Sequence, residues 1–251
     1  MGRILDNVSG IAPDVFNVAV ADGQVPNWQV FRKFGICSAV PTSTTHEMWD
    51  GADDVRTLPT TAAVAAVSST SADDTSAGTG AQTVTVMGLD ENYLEVSETV
   101  SMNGLTPVNT TQTFIRVNSA YVATAGSGGT NAGEIDVDVG GDEQQHIAVG
   151  IGEAAGTGYC VPANKKLIVT LYTAGVGRLG GSADCSVKGE IRLFGTGSWR
   201  AISNIYLYTQ IHSNGWGATA LPPKTDIRQT IYSSGTTQAY GIVAGYLIKV
   251  A

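Results

Sequence analysis

The acidic stretch around residues 136–146 carries the side chains best suited to hold a metal ion. Asp136 and Asp138 alternate along a strand-like segment, and Asp142, Glu143 and His146 follow closely. Residues two apart in a strand share a face, so the first two carboxylates could meet a hard cation such as Ca²⁺. The spacing does not match an EF-hand loop. Asp136 and Asp138 are the metal candidates. We favour a solvated acidic loop without metal, and a calcium site at a subunit interface is the alternative.

The remaining titratable residues do not form a catalytic pattern. The chain has three histidines, His46, His146 and His212, and no G-x-S-x-G turn that would expose a nucleophilic serine. A hydrolase with two carboxylates needs them on opposite walls of a cleft. Here Glu95 and Glu98 lie on one strand-like segment, and Asp136 and Asp138 lie on another. We therefore expect no catalytic residue and no enzymatic activity.

The glycine-rich runs and the cysteines give no sign of a cofactor. Residues 126–133 and 175–181 are followed by strand-like sequence, whereas a phosphate-binding loop leads into a helix. The three cysteines, Cys37, Cys160 and Cys185, are too few and too far apart for a disulfide framework or a zinc knuckle. We expect buried free thiols, with a Cys160–Cys185 bridge left open, and no cofactor.

Two groups of aromatic residues are candidates for binding a partner. The first lies where hydrophobic periodicity is weak, so we expect it to form an extended arm that docks on another chain. The second would supply stacking surfaces for a host glycan if the protein were a receptor-binding module. The arm group comprises Phe16, Trp28, Phe31, Phe34 and Trp49, and the glycan group comprises Trp199, Tyr206, Tyr208 and Trp216.

Charge and composition exclude several classes of function. The net charge is −8 and the isoelectric point is about 4.7. An acidic chain without a basic patch is not expected to bind nucleic acid or an anionic membrane. Only 14% of the residues are charged, and no apolar run is long enough for a transmembrane helix. Abundant glycine and β-branched residues favour strands and turns.

Hydrophobic alternation predicts an antiparallel β-sandwich. Over residues 185–193 the odd positions are mostly apolar and the even positions are polar or charged, as in a sheet with one wet face. The C-terminal segment 240–250 is apolar on both faces and predicts a central strand. Asn103-Gly104 predicts a hairpin between the segments on either side. We expect an all-β, jelly-roll-like sandwich over residues 49–251, preceded by an extended N-terminal arm over residues 1–48. Within that region, residues 25–36 could form one strand or part of the arm.

A series of short motifs carries a family resemblance. It begins with Trp49-Asp50-Gly51 and continues with residues 73–81 (DDTSAGTGA) and 88–90 (GLD). An SETV…NG hairpin at 97–104, FIRV at 114–117 and the loop 124–133 follow, and residues 224–227 and 245–250 fit the same pattern. From Trp49 onward the chain resembles a widespread group of tailed-bacteriophage virion proteins, common in marine and freshwater phages.

The resemblance implies a structural role in a virion. It suggests a protein that decorates or cements the outer face of the capsid, bound to the major capsid protein or to neighbouring virion subunits, on the surface of the particle. A tail, fibre or receptor-binding component is the alternative. Jelly-roll virion modules associate around closed symmetry axes, so a homotrimer is expected. The family supplies no catalytic residues.

Overall fold

The structure is a computed structural model that describes residues 15–52, 54–177, 184–207, 212–235 and 237–250, with the backbone alone over 212–218. Among these residues one short helix accompanies sixteen strands. The elements are α1 Phe16–Ala21, β1 Trp28–Val40, β2 Thr45–Glu47, β3 Ala63–Ser69, β4 Ala81–Leu89, β5 Glu95–Ser101, β6 Val108–Phe114, β7 Arg116–Ala125, β8 Ile135–Val139, β9 Asp142–Ile147, β10 Tyr159–Cys160, β11 Lys165–Gly177, β12 Cys185–Arg192, β13 Arg200–Leu207, β14 His212–Leu221, β15 Asp226–Ser233 and β16 Thr237–Lys249. No helix in the described part of the chain is long and apolar enough to cross a membrane.

The strands build two β-sandwiches, one inserted into the other. A sheet of order β1-β16-β11-β14 shares a core with a sheet of order β10-β15-β12-β13, to which β2 adds. We call this the terminal sandwich. Between β2 and β10, a sheet of order β6-β3-β8-β9 shares a second core with the sheet β5-β4-β7, and these strands form the inserted sandwich. The all-β antiparallel sandwich is confirmed, but the strand order does not establish a jelly roll.

Residues 28–40, predicted to belong to an extended arm, instead form a strand of the terminal sandwich. β1 pairs with β16 from Trp28 to Val40, and Phe31 lies in the core of the terminal sandwich. The segment has little hydrophobic periodicity because apolar side chains lie on both faces of β1: Phe31 and Cys37 face the core, whereas Val30 and Phe34 lie on the opposite face and are exposed. Residues 28–40 are therefore an integral strand, and residues 1–14 lie outside the described residues.

Several local predictions agree with the structure. In β12, Cys185 and Val187 face the core while Lys188 is exposed, as the alternation indicates. β16 lies between β1 and β11, which explains why it is apolar on both faces. The three cysteines are buried free thiols, so Cys160 and Cys185 form no bridge.

The hairpin predicted at Asn103-Gly104 is wrong. Gly104 has a φ of +60°, so Asn103-Gly104 does form the tight turn that this dipeptide predicts. However, β5 pairs with β4 and β6 pairs with β3, so the turn carries the chain from one sheet of the inserted sandwich to the other. The reason is that Gly104 bonds to the β3 side of the fold: its N–H donates to Asp74 O and its carbonyl accepts from Ser69 N–H.

Candidate functional site

The two sandwiches are joined by a buried polar network. The guanidinium of Arg116 on β7 pairs with the carboxylate of Asp226 on β15, at 2.8 Å, and Arg192 donates to the same carboxylate at 2.8 Å. The side chain of Asn118 bonds to both the N–H and the carbonyl of Cys160. Because these groups are taken out of water, the network ties the sandwiches in one relative orientation as long as every partner is present.

Asp226 is ionised at the centre of this network. Burial by itself would raise the pKa of Asp226, but hydrogen bonds and charge from Arg116, and then from Arg192, bring the pKa below its ordinary value. Arg116 also donates to the carbonyls of Pro59 and Ile115. The guanidinium is therefore satisfied on several sides, and the assembly is a structural ion cluster.

Beside this network a cleft of about 790 Å³ opens between the sandwiches. One wall is the edge of β1 from Val30 to Phe34, and another is the outer face of β4 and β5. The segment 151–155 forms a third wall. Four large apolar side chains on these walls are more than two-fifths exposed: Val30, Phe34, Met87 and Ile151.

Lys33 projects into the cleft from β1. Its Nζ donates to the carbonyl of Asn118 at 2.8 Å, and no carboxylate of the described residues pairs with it. Burial, and then the charge of Arg56, lower the pKa of Lys33 to about 8, although Glu153 acts in the opposite direction. A larger fraction of this amine is thus neutral near physiological pH than for a lysine with the ordinary pKa.

The histidines and cysteines show one arrangement that resembles a catalytic pair. Cys37 Sγ lies 3.6 Å from His46 Nδ1, and His46 Nε2 lies 4.0 Å from Asp54. The thiol, however, is buried, and burial raises the pKa of Cys37 to about 11. Only a thiolate is an effective nucleophile, so the Cys37–His46 pair does not provide an activated nucleophile. His212 has no described side chain, and His146 lies elsewhere, on β9.

The aromatic residues of the expected arm are used mostly within the chain. Phe16, Trp28 and Tyr246 stack edge to face, with ring centroids 5.3–5.5 Å apart. Phe31 and Trp49 are buried. Of this group, Phe34 is the most exposed, at 43%, and it lies at the rim of the cleft.

The glycan candidates do not form one surface among the residues that can be placed. Trp199 has Arg228 and Arg192 over its ring, at 3.9 and 5.0 Å from the centroid. Tyr206 is 67% exposed on β13, but seven residues of extended chain, roughly 23 Å, separate it from Trp199. Tyr208 and the side chain of Trp216 lie outside the described residues.

Asp136 and Asp138 share a face as expected, but the side chains that meet around Asp136 are those of Glu143 and His146 rather than that of Asp138. Asp136 and Asp138 lie on the outer face of β8, since the alternating residues Ile135, Val137 and Val139 face the core. The atoms that converge within 4.8 Å belong to Asp136, Glu143 and His146. The sequence groups Glu143 and His146 with the two aspartates in one acidic stretch, but it does not predict that they share a face, since three-residue spacing along a strand normally puts side chains on opposite faces.

Comparison with known proteins adds little. No protein-family model matches the chain, and no curated protein matches it significantly. Among solved structures, the chain is similar to one from the "Structure of infectious bursal disease virus Gt strain", with 10% identity over 90% of this chain and 78% of that chain. The TM-score is 0.22, and at that value the similarity carries no argument about fold or function.

Proposed function

We propose that the protein is a non-catalytic structural component of a bacteriophage virion, and specifically a decoration or cement protein on the outer face of the head. The observation that carries the proposal is the open edge of β1 in the cleft between the sandwiches. Such an edge binds polypeptide backbone, which is what a protein that holds subunits together requires. The motifs from Trp49 onward supply the virion context.

The backbone direction along β1 shows which groups are free. Trp28, Ile36 and Ser38 direct their N–H groups away from β16, to Val25 O, Ala155 O and Asp50 Oδ1. Successive residues of a strand alternate in direction, and the β1–β16 register is unbroken from Trp28 to Cys37. The N–H and C=O groups of Val30, Arg32 and Phe34 therefore point into the cleft.

The surroundings of this edge favour an extended partner segment. The exposed apolar side chains of Val30, Phe34, Met87 and Ile151 flank the free backbone groups. Added strands gain affinity from main-chain hydrogen bonds and specificity from the side-chain pockets beside them. The occupant is an extended segment of the major capsid protein or of a neighbouring virion subunit.

Charge supports an exterior position. A net charge of −8 disfavours contact with packaged DNA and keeps the protein soluble. The homotrimer is part of the proposal by analogy with jelly-roll virion modules, and mass measurement of the assembled protein tests it.

A proline substitution tests the open edge directly. Arg32→Pro removes an N–H that points into the cleft while leaving the hydrogen bonds to β16 intact, a position at which edge strands tolerate proline. Arg32→Ala is the matched control because it removes the same side chain but keeps the N–H. We expect both variants to fold, only Arg32→Ala to bind empty heads, and heads lacking the protein to break at lower temperature. Full binding by Arg32→Pro would refute the edge as the docking site.

The exposed Tyr206 keeps a receptor-binding or fibre component as the second candidate. That role predicts particles of unchanged stability that no longer adsorb to host cells when the protein is missing. Head stability and adsorption, measured on the same particles, distinguish the two functions.

A further inference from the structure

The free part of the β1 edge is short and is closed at both ends by the chain itself. At one end the N–H of Trp28 donates to Val25 O, and at the other the N–H of Ile36 donates to Ala155 O. A partner strand in the cleft can therefore pair with residues 29–35 and no further. The edge thus accepts a short extended segment, and the side chains beside residues 29–35 decide its chemistry.

Lys33 lies in the middle of this free edge and reaches across the cleft. Its side chain lies on the face of β1 opposite to that of Arg32 and Phe34, because successive residues of a strand alternate. The Lys33 Nζ donates to the carbonyl of Asn118 on β7 at 2.8 Å. The side chain therefore runs from the terminal sandwich to the inserted sandwich and lines the cleft between them.

The Lys33 amine enters the cleft without a counter-ion in contact. An ammonium group has three donors, and the bond to Asn118 O is the one hydrogen bond that it forms among the described residues. Of the carboxylates on the cleft walls, Glu153 acts on Lys33 through charge without forming an ion pair, and Glu95 pairs with Lys165. Two N–H donors and a positive charge are thus left for a partner.

A strand added to β1 places one of its side chains directly beside this amine. In an antiparallel pair, residues directly opposite each other lie on the same face. The backbone groups of Lys33 bond to β16, so on the cleft side Lys33 takes a non-hydrogen-bonded position, where opposite Cα atoms are only about 4.5 Å apart. The two neighbours of the opposite residue point to the other face, where Val30 and Phe34 are exposed.

Resting on the docking edge proposed above, we propose that the segment bound there carries an aspartate or glutamate opposite Lys33, with an apolar residue on each side of it. The carboxylate accepts the remaining Lys33 N–H groups and supplies the counter-ion, and charge-assisted hydrogen bonds of this kind are the strong ones. The apolar neighbours cover Val30 and Phe34 and take them out of water. The lysine thereby selects both the sequence and the register of the partner strand.

The proposal predicts the sign of a pH effect. The pKa of Lys33 is lowered to about 8 in the free protein, first by burial. A carboxylate beside the amine favours its charged form, so affinity for an acidic segment should fall as the pH rises through about 8 to 9. A segment without an acid would bury the amine further and leave it without a counter-ion, so its affinity should rise over the same range.

Lys33 is the group expected to titrate in this range. The other charged or titratable groups that face it are those of Arg56, Glu95, Glu153 and Tyr159. Carboxylic acids ordinarily titrate near about pH 4 and guanidinium groups above about pH 12. Burial raises the pKa of Tyr159, which keeps the phenol neutral. A pH effect on binding near pH 8 therefore reports on the amine of Lys33.

Synthetic peptides titrated into the full chain test the proposal. The probe is a heptapeptide blocked at both ends, Ser-Thr-Val-Glu-Val-Thr-Ser, and its counterpart has Gln in place of Glu. At pH 7 we expect the Glu peptide to bind about tenfold tighter or more, as measured by fluorescence anisotropy of a labelled peptide. The preference should disappear in Lys33→Gln and return in Lys33→Arg, but without the pH dependence, because arginine stays charged.

Two further variants serve as controls. Lys188→Gln removes one positive charge from the exposed face of β12, away from the cleft, and should keep the full preference for the Glu peptide. Glu153→Gln removes the acidic side chain that competes for Lys33 and should tighten binding of the Glu peptide. Equal affinity for the Glu and Gln peptides would overturn the proposal. Affinity for the Glu peptide that rises with pH, or no binding of that peptide at millimolar concentration, would also overturn it.

Binding to empty heads separates this proposal from the docking function on which it rests. Lys33→Gln should weaken binding to heads, whereas Lys188→Gln should not. If Arg32→Pro abolishes binding to heads and Lys33→Gln leaves it unchanged, the edge remains the docking site and the acidic partner is wrong. If both variants bind heads like the parent chain, the docking function itself is wrong.

Discussion

Replacing Asp226 by Asn should uncouple the two sandwiches. Asn keeps the shape of the side chain but removes the negative charge that faces Arg116 and Arg192. Arg116 is 9% exposed and cannot reach water without breaking the interface, whereas Arg192 is 23% exposed and can. Breaking a buried pair by removing one partner costs about 3–5 kcal/mol. Because Arg116 keeps its bonds to two carbonyls, we expect a loss of about 3 kcal/mol in the free energy of unfolding.

Urea denaturation, followed by two probes, measures this loss. All four tryptophans lie outside residues 63–147, so their fluorescence does not report directly on the inserted sandwich, whereas far-ultraviolet circular dichroism reports on both sandwiches. In Asp226→Asn we expect the two curves to separate, because the sandwiches lose their strongest polar connection. Glu95→Gln is the control: the Glu95 side chain, which pairs with Lys165, is half exposed, and removing its charge should cost less than about 1 kcal/mol.

The pH dependence has a defined sign. The folded-state pKa of Asp226 lies below its unfolded value, so its contribution is present above about pH 4 and is lost as pH falls through the folded pKa. The stability difference between the parent chain and Asp226→Asn should therefore be full at pH 6 and shrink below about pH 4. A cost equal to that of Glu95→Gln, or a difference that grows on acidification, would refute the reasoning.

Three further outcomes are expected. Val187→Asp should abolish soluble expression, because Val187 is fully buried and an unpaired charge there costs several kcal/mol; Lys188→Asp, on the exposed face of the same strand, should express normally. The rate at which an amine-reactive reagent modifies Lys33, read by peptide mass spectrometry, should level off above about pH 8, because burial lowers the pKa of Lys33 to about 8; a rate that keeps rising well above that pH would contradict the lowered pKa. Cys37 should resist iodoacetamide in the folded protein and react only after unfolding, because burial raises its pKa to about 11, and rapid modification of the native thiol would show that the site opens.

The sequence alone determined the β class and much of the local structure. Alternation over 185–193 reports which side chains face the core, because strand periodicity is two and one face is wet. A run that is apolar on both faces identified β16 as a central strand. The sparse, widely spaced cysteines correctly indicated free thiols.

The tertiary structure decided which strands are partners. Local sequence does not encode that residues 28–40 pair with the last strand, about 200 positions later, or that a second sandwich is inserted between β2 and β10. The Asn103-Gly104 turn was recognised, yet the strands beside it belong to different sheets, because pairing depends on burial of distant apolar faces.

The candidate sites show the same division. Sequence placed Asp136 and Asp138 on one face because residues two apart in a strand always share it. It could not place Glu143 beside His146, since only the bulge at Gln144, held by Thr57 from a distant loop, reverses the parity of β9. The cleft likewise exists only because two separately closed cores meet side by side, leaving the edge of β1 open between them.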